Sequence, residues 1–122
     1  QELIKMGKTV LLPKVLPDFN LEWIKWDGSQ NKLAKRGKFF EPFGEAFNQA
    51  EVDVVIVPAL HVNREGFRLG QGGGSYDRAL VNMRAWRIAL IYSGEITNEP
   101  LPIEPHDQKV DAVATPELIM RF

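Results

Sequence analysis

Arg68-Leu69-Gly70-Gln71-Gly72-Gly73-Gly74-Ser75-Tyr76-Asp77-Arg78 stands between an apolar run, Val52-Asp53-Val54-Val55-Ile56-Val57, and a helical pattern. Three successive glycines, Gly72, Gly73 and Gly74, give a backbone that reaches positive φ and carries no Cβ, so amide N–H groups can converge on an oxyanion. Ser75 is the expected N-cap, because Ala79, Leu80, Met83 and Trp86 follow at three- and four-residue spacings and predict a helix over 75–86. The helix start carries partial positive charge, Arg68 and Arg78 add fixed charge on either side, and Asp77 falls in the first turn as a candidate Mg²⁺ ligand. The stretch therefore reads as a phosphate-binding loop, with a glycine-rich hairpin carrying surface charges as the alternative. It fits neither the P-loop, which needs a Gly-Lys-Ser/Thr that is absent here, nor the dinucleotide fingerprint, whose acidic residue lies about twenty positions further on.

Working outward, the run at 52–57 is apolar on both faces, as expected of a central parallel strand covered by helices on each side, and Pro58 ends it. The chain then passes through His61-Val62-Asn63-Arg64-Glu65-Gly66 before the glycine loop. After the helix, Ile88-Ala89-Leu90-Ile91-Tyr92 reads as a second buried strand. Strand, loop, helix and strand form a parallel crossover, expected to be right-handed, and place the fold in the α/β class with a ligand loop at a strand's C-terminal end.

Upstream, Gln1-Glu2-Leu3-Ile4-Lys5-Met6 reads as helix closed by Gly7; fewer than two turns remain, which predicts that the helix begins before residue 1. Lys8-Thr9-Val10-Leu11-Leu12 is an expected buried strand stopped by Pro13. Leu21-Glu22-Trp23-Ile24-Lys25-Trp26 predicts an exposed or edge strand, on which Trp23 and Trp26 either pack on the sheet, the favoured reading, or stack on a flat ring of a ligand. Residues 29–38 are basic and read as a solvated face; Phe39-Phe40-Glu41-Pro42-Phe43-Gly44 reads as an irregular loop, with Glu41 either facing a cavity or structural. Downstream, Pro100, Pro102 and Pro105 mark an extended segment ending at His106-Asp107. Asp111-Ala112-Val113-Ala114 predicts a short last strand, and Thr115-Pro116-Glu117 the start of a terminal helical turn.

With 122 residues, 44% of them hydrophobic, the chain is expected to form a single α/β domain over 1–122. Fifteen basic against 16 acidic residues leave a net charge of −1, so no global attraction to nucleic acid or to an anionic membrane is expected, and phosphate binding must be local. The sequence has no cysteine, which removes disulfides, thiolate nucleophiles and Cys-ligated zinc and agrees with a cytoplasmic protein. His61 and His106 are the two histidines and form no spaced ligand cluster. A triad composed from Ser75, His106 and Asp107 is set aside, because adjacent His and Asp side chains cannot easily face one another and no nucleophile elbow surrounds Ser75.

Val57-Pro58-Ala59-Leu60, Glu65-Gly66, the run from Arg68 to Gly74 and Tyr76-Asp77-Arg78 together resemble the signature of the 5-formyltetrahydrofolate cyclo-ligase (5,10-methenyltetrahydrofolate synthetase) family. Gly7-Lys8-Thr9-Val10-Leu11-Leu12-Pro13, Glu41-Pro42 and the segment from Pro105-His106-Asp107 through Ala114-Thr115 extend the resemblance. Ser75 departs from it, standing where the family usually has Tyr or Phe.

The resemblance implies a three-layer Rossmann-like α/β sandwich with a mostly parallel central sheet, like that of sugar-phosphate isomerases and CoA transferases, here lacking the N-terminal helical part. It also implies ATP- and Mg²⁺-dependent conversion of 5-formyltetrahydrofolate to 5,10-methenyltetrahydrofolate with release of ADP and phosphate. Carried over by position, ATP falls to Arg68, Leu69, Gly70, Gln71, Gly72, Gly73, Gly74, Ser75 and Tyr76, and the folate to the segment from Gln71 to Ser75. Mg²⁺ falls to Asp77 and Asp107, and charge on the transferred phosphoryl group to Arg68 and Arg78. A basic helix and an acidic folate-contacting residue in the family's N-terminal part have no counterpart here. Two further readings stay open: a catalytically silent phosphate- or folate-binding module, and a sugar-phosphate isomerase-like protein.

Overall fold

The computed structural model describes residues 2–18, 20–29, 33–36, 39–69, 74–98, 101 and 107–122. They divide into two compact units, 1–49 and 50–122.

The first unit opens with α1 (Glu2–Lys5). Lys8 N–H donates to Leu3 O and Gly7 N–H to Ile4 O, both at 3.0 Å, with Gly7 at φ 82°: the Schellman closure expected of a glycine just past a helix end. β1 (Val10–Val15) and β2 (Leu21–Trp26) then form an antiparallel pair in which Pro13 lies opposite Trp23. Pro13 therefore does not stop the strand. β1 has one neighbour in this ladder, and on such a strand a missing N–H need not break a bond. Nor is β1 fully buried; β2 supplies the core with Leu21, Trp23 and Ile24.

A second correction concerns the expected loop at 39–44. Its first part pairs as β4 (Phe39–Pro42) with β3 (Leu33–Arg36) in an antiparallel hairpin, and Pro42 sits at the strand's last position, where it does least harm to pairing. Trp23 is buried, in line with packing on the sheet, and the indole N–H of Trp26 donates to Ser29 O at 2.9 Å.

The second unit holds the predicted crossover. β5 (Val54–Val57), α2 (Ser75–Val81) and β8 (Trp86–Leu90) follow in order, and β5 and β8 are parallel neighbours. β10 (Ala112–Ala114) lies parallel on the far side of β8, and β11 (Ile119–Arg121) closes the sheet antiparallel to β10. Between β5 and α2, β6 (His61–Asn63) pairs antiparallel with β7 (Arg68–Leu69) and parallel with β9 (Ile96–Thr97) in a separate small sheet.

Three expectations are corrected here. β5 is an edge strand of the described sheet, and its sides differ: Val55 and Val57 are buried while Val54 and Ile56 are about half exposed. The helix stops at Val81 rather than reaching Trp86, which instead begins β8. Residues 115–118 turn the chain back into β11 rather than starting a helix; Thr115 Oγ1 accepts from the N–H groups of Glu117 and Leu118, and Thr115 N–H donates to Leu118 O. The hydroxyl does the capping work read from the sequence, but in a tight turn.

Strand pairing shows what remains of the double-sided covering. Val54 and Ile56 lie beside Trp86 and Ile88, and Ile88 and Leu90 beside Ala112 and Ala114, with Ile119 beyond, so one face is apolar throughout, exposed at Val54, Ile56, Trp86, Leu90 and Ile119 but buried at Ala112. On it Ile56 is 51% and Leu90 55% exposed, whereas Val55, Val57, Ala89 and Val113 on the opposite face are buried, as are Ala79, Leu80 and Met83 from the α2 segment. Exposed apolar surface of this kind invites association. The 122-residue chain is accordingly expected to bind a hydrophobic dye and self-associate. The double change Ile56→Lys and Leu90→Lys should weaken both, with a stability change of about 0.5 kcal/mol or less per site. Equal dye fluorescence and an unchanged sedimentation profile in the variant would discount this face as the cause.

Candidate functional site

The site is built where the C-terminal end of β5, the β6–β7 hairpin, the start of α2 and the segment at 107–111 meet. Asn63 shapes the hairpin: its Oδ1 accepts from the N–H groups of Glu65 and Phe67, at 3.0 and 3.1 Å, while Gly66 N–H donates to Asn63 O. Asn is suited to such a turn because its side chain mimics a backbone carbonyl. The tight return delivers Arg68 on β7.

Arg68 is the hub. Its side chain is 7% exposed; Nη1 donates to Pro58 O at 2.9 Å, Nη2 lies 3.7 Å from Asp77 Oδ1, and the guanidinium carbon stands 5.7 Å from the centre of the Tyr76 ring. A buried charge is tolerated when paired and hydrogen-bonded, and Asp77 and the Pro58 carbonyl meet that need. The Nε–H is buried and has no hydrogen-bond partner among the described residues. Beside the ring, burial pushes the Tyr76 phenol up from its ordinary value, against the opposing pull of the Arg68 charge, so the hydroxyl remains a proton donor at neutral pH.

Asp77 joins two segments far apart in sequence. Its Oδ1 accepts from Gln108 N–H at 3.1 Å, which sets Asp107, the preceding residue, beside the start of α2. Both of these contacts, to Gln108 N–H and to Arg68, are made through Oδ1 of Asp77. The described residues contain no group of three or more potential metal-binding side chains. The donor set nevertheless fits Mg²⁺, which takes one or two carboxylates and completes its shell with phosphate oxygens and water.

Other residues picked from the sequence fall differently. Arg78 is exposed, unlike Arg68, and its N–H donates to Gly74 O at 3.0 Å. Gly74, not Ser75, is the N-cap: it sits at φ 71° and no side chain caps the helix, so Ser75 becomes the first helical residue. A glycine meets the left-handed requirement without a hydroxyl. The helix has seven residues, so its dipole is short and fixed charge falls to Arg68. Gly70, Gln71, Gly72, Gly73 and His106 lie outside the described residues.

Because no serine cap exists to lose, Ser75→Tyr is expected to leave the urea midpoint nearly unchanged. A loss near the ~1 kcal/mol of a deleted cap would restore the capping role.

Sequence reasoning missed Asn63, Arg87 and Gln108. Asn63 ahead of Glu65-Gly66 carries a readable turn signal, and Arg87 is conspicuous as a charge inside an apolar strand. Nothing local marks Gln108.

The model of the 5-formyltetrahydrofolate cyclo-ligase family matches residues 1–116. A 5-formyltetrahydrofolate cyclo-ligase of Mycolicibacterium smegmatis is 37% identical over 124 residues, covering 94% of this chain and 63% of that protein. One of Escherichia coli is 30% identical over 130 residues, covering 100% of this chain and 71% of its own length. Among solved structures, 5,10-methenyltetrahydrofolate synthetase of Aquifex aeolicus superposes with a TM-score of 0.79 at 33% identity, over 98% of this chain and 61% of that one. The chain thus spans under two thirds of the mycobacterial relative, and the part matched in the relatives is C-terminal. With its fold shared and nearly its whole length matched, the chain belongs to the 5-formyltetrahydrofolate cyclo-ligase family.

Proposed function

We propose that this chain carries the phosphate- and folate-binding part of an ATP- and Mg²⁺-dependent 5-formyltetrahydrofolate cyclo-ligase acting in the cytoplasm. The observation that carries this reading is Arg68: its guanidinium is buried beside Asp77 and Tyr76, yet its Nε–H has no partner among the described residues. Buried donors are nearly always satisfied, and an incoming phosphate oxygen would satisfy this one.

In the reaction, the formyl oxygen of 5-formyltetrahydrofolate attacks the γ-phosphorus of ATP and ADP departs. The neighbouring nitrogen then closes on the activated carbon, losing its proton, and phosphate leaves with the former formyl oxygen to give 5,10-methenyltetrahydrofolate. Such a transfer depends mainly on positioning and charge neutralisation. Arg68 would hold phosphoryl oxygens from a fixed position, with Arg78, exposed in the first turns of α2, adding charge. Leu69, Ser75, Tyr76 and the loop at 70–74 would line ATP, and the segment from Gln71 to Ser75 would border the folate. Asp77 and Asp107 would hold Mg²⁺, which when bound neutralises charge on the phosphates. No covalent nucleophile is required. In the three-layer sandwich implied for the family, α2 belongs to one outer layer.

The test follows methenyl product by absorbance with and without ATP, using this chain and a form as long as its relatives. ATP-dependent product from either supports the reading. ATP binding by both without turnover would make the chain a silent binding module, and failure of both to bind ATP or folate would overturn the assignment.

A further inference from the structure

We propose that Arg87, on β8 and outside the loop, is a positioning residue that holds the Asp107–Gln108 segment against Asp77; its bearing on Mg²⁺ rests on the function proposed above. One face of the guanidinium fork ties the end of α2, where Nη2 donates to Leu80 O at 2.6 Å and lies 3.5 Å from Met83 O. Nη1 ties the other segment, donating to Lys109 O at 3.2 Å and Gln108 Oε1 at 3.3 Å. Its backbone continues the connection: Arg87 N–H donates to Asp111 Oδ2 at 2.8 Å and Asp111 N–H to Arg87 O at 2.9 Å.

Gln108 is consequently fixed at two points. Its N–H is held by Asp77 and its side-chain oxygen by Arg87, so the residue before it, Asp107, has little freedom to drift from Asp77. The planar fork matters, because only a rigid, multiply donating group can bridge helix-end carbonyls and a separate loop at once; a lysine ammonium is a single point of charge. Partners that orient first ligands commonly change metal affinity by about 10–100-fold when removed.

The experiment compares wild type with Arg87→Met and Arg87→Lys. Three quantities are read: exchange of the Gln108 amide without metal or nucleotide, the Mg²⁺ concentration giving half-maximal ATP binding, and the urea midpoint. Arg87→Met should speed Gln108 exchange more than that of the Ala89 and Val113 amides and raise the Mg²⁺ requirement about 10–100-fold. Arg87→Lys, which can still reach the helix-end carbonyls, should keep most of the stability while restoring only part of the Mg²⁺ response. Uniform acceleration of all three amides, or unchanged Gln108 exchange in a folded Arg87→Lys protein, would reduce Arg87 to a stabilising residue and overturn the proposal. If wild type binds no Mg²⁺ or ATP, the functional reading fails, while amide exchange still decides whether Arg87 holds Gln108.

Discussion

Asp77→Asn is expected to abolish Mg²⁺-dependent use of ATP while leaving the fold in place. Asparagine keeps an oxygen at Oδ1 that can still accept from Gln108 N–H, so the tie between α2 and the segment at 107–111 survives. What disappears is the negative charge 3.7 Å from Arg68, together with the second carboxylate oxygen that would meet the cation. Losing a charged ligand of the metal is expected to cost more than the about 10–100-fold that follows when a group that merely orients a ligand is removed. Arg68 stays buried with its charge less well compensated, so a stability loss of about 1–3 kcal/mol accompanies the change. Metal titrations of ATP binding, paired with urea melts, separate the two effects. Unchanged turnover at limiting Mg²⁺ would remove Asp77 from the metal site.

Much of this arrangement was legible in the residues, and the failures have physical reasons. The crossover of β5, α2 and β8 followed from apolar runs either side of a glycine loop, because period and punctuation are local signals. The number of covered faces was not local. Val54 and Ile56 are as apolar as Val55 and Val57, and nothing in the run itself distinguishes the face that stays exposed. Pro13 misled for a similar reason: its missing N–H matters only if a neighbour needs it, and neighbours belong to topology. At 74–75 the expected serine cap is absent, and at 115–118 the expected hydroxyl chemistry is present in a different geometry. A positive-φ glycine replaced the serine cap, and a threonine cap closed a turn instead of opening a helix. The approach of Asp107 to Asp77 came only from the family resemblance; in the structure it depends on a bond between residues 31 positions apart.

The largest loss of stability is expected at Gly66. It is buried, sits at φ 92°, and a Cβ there would lie 2.8 Å from Val110 O and 3.3 Å from the Phe122 ring. The ring is half-exposed and can swing aside, but the carbonyl cannot. Val110 is itself buried, and its N–H donates to Gly66 O at 2.9 Å, so the two backbones are held in contact. Gly66→Ala therefore combines about 1–2 kcal/mol for the left-handed backbone with about 1–3 kcal/mol for overpacking, roughly 2–5 kcal/mol together. Asparagine tolerates positive φ better than alanine but carries the same Cβ, so Gly66→Asn separates the two contributions. A substantial loss in both variants is the expected outcome of urea melts; recovery in Gly66→Asn alone would assign the effect to φ rather than to the contact. The consequence reaches the site, because Gly66 belongs to the turn that delivers Arg68, while Val110 belongs to the segment that carries Asp107 and Gln108. Relieving the clash must separate these two, so in whatever fraction of Gly66→Ala remains folded, the Gln108 amide should exchange faster than in wild type.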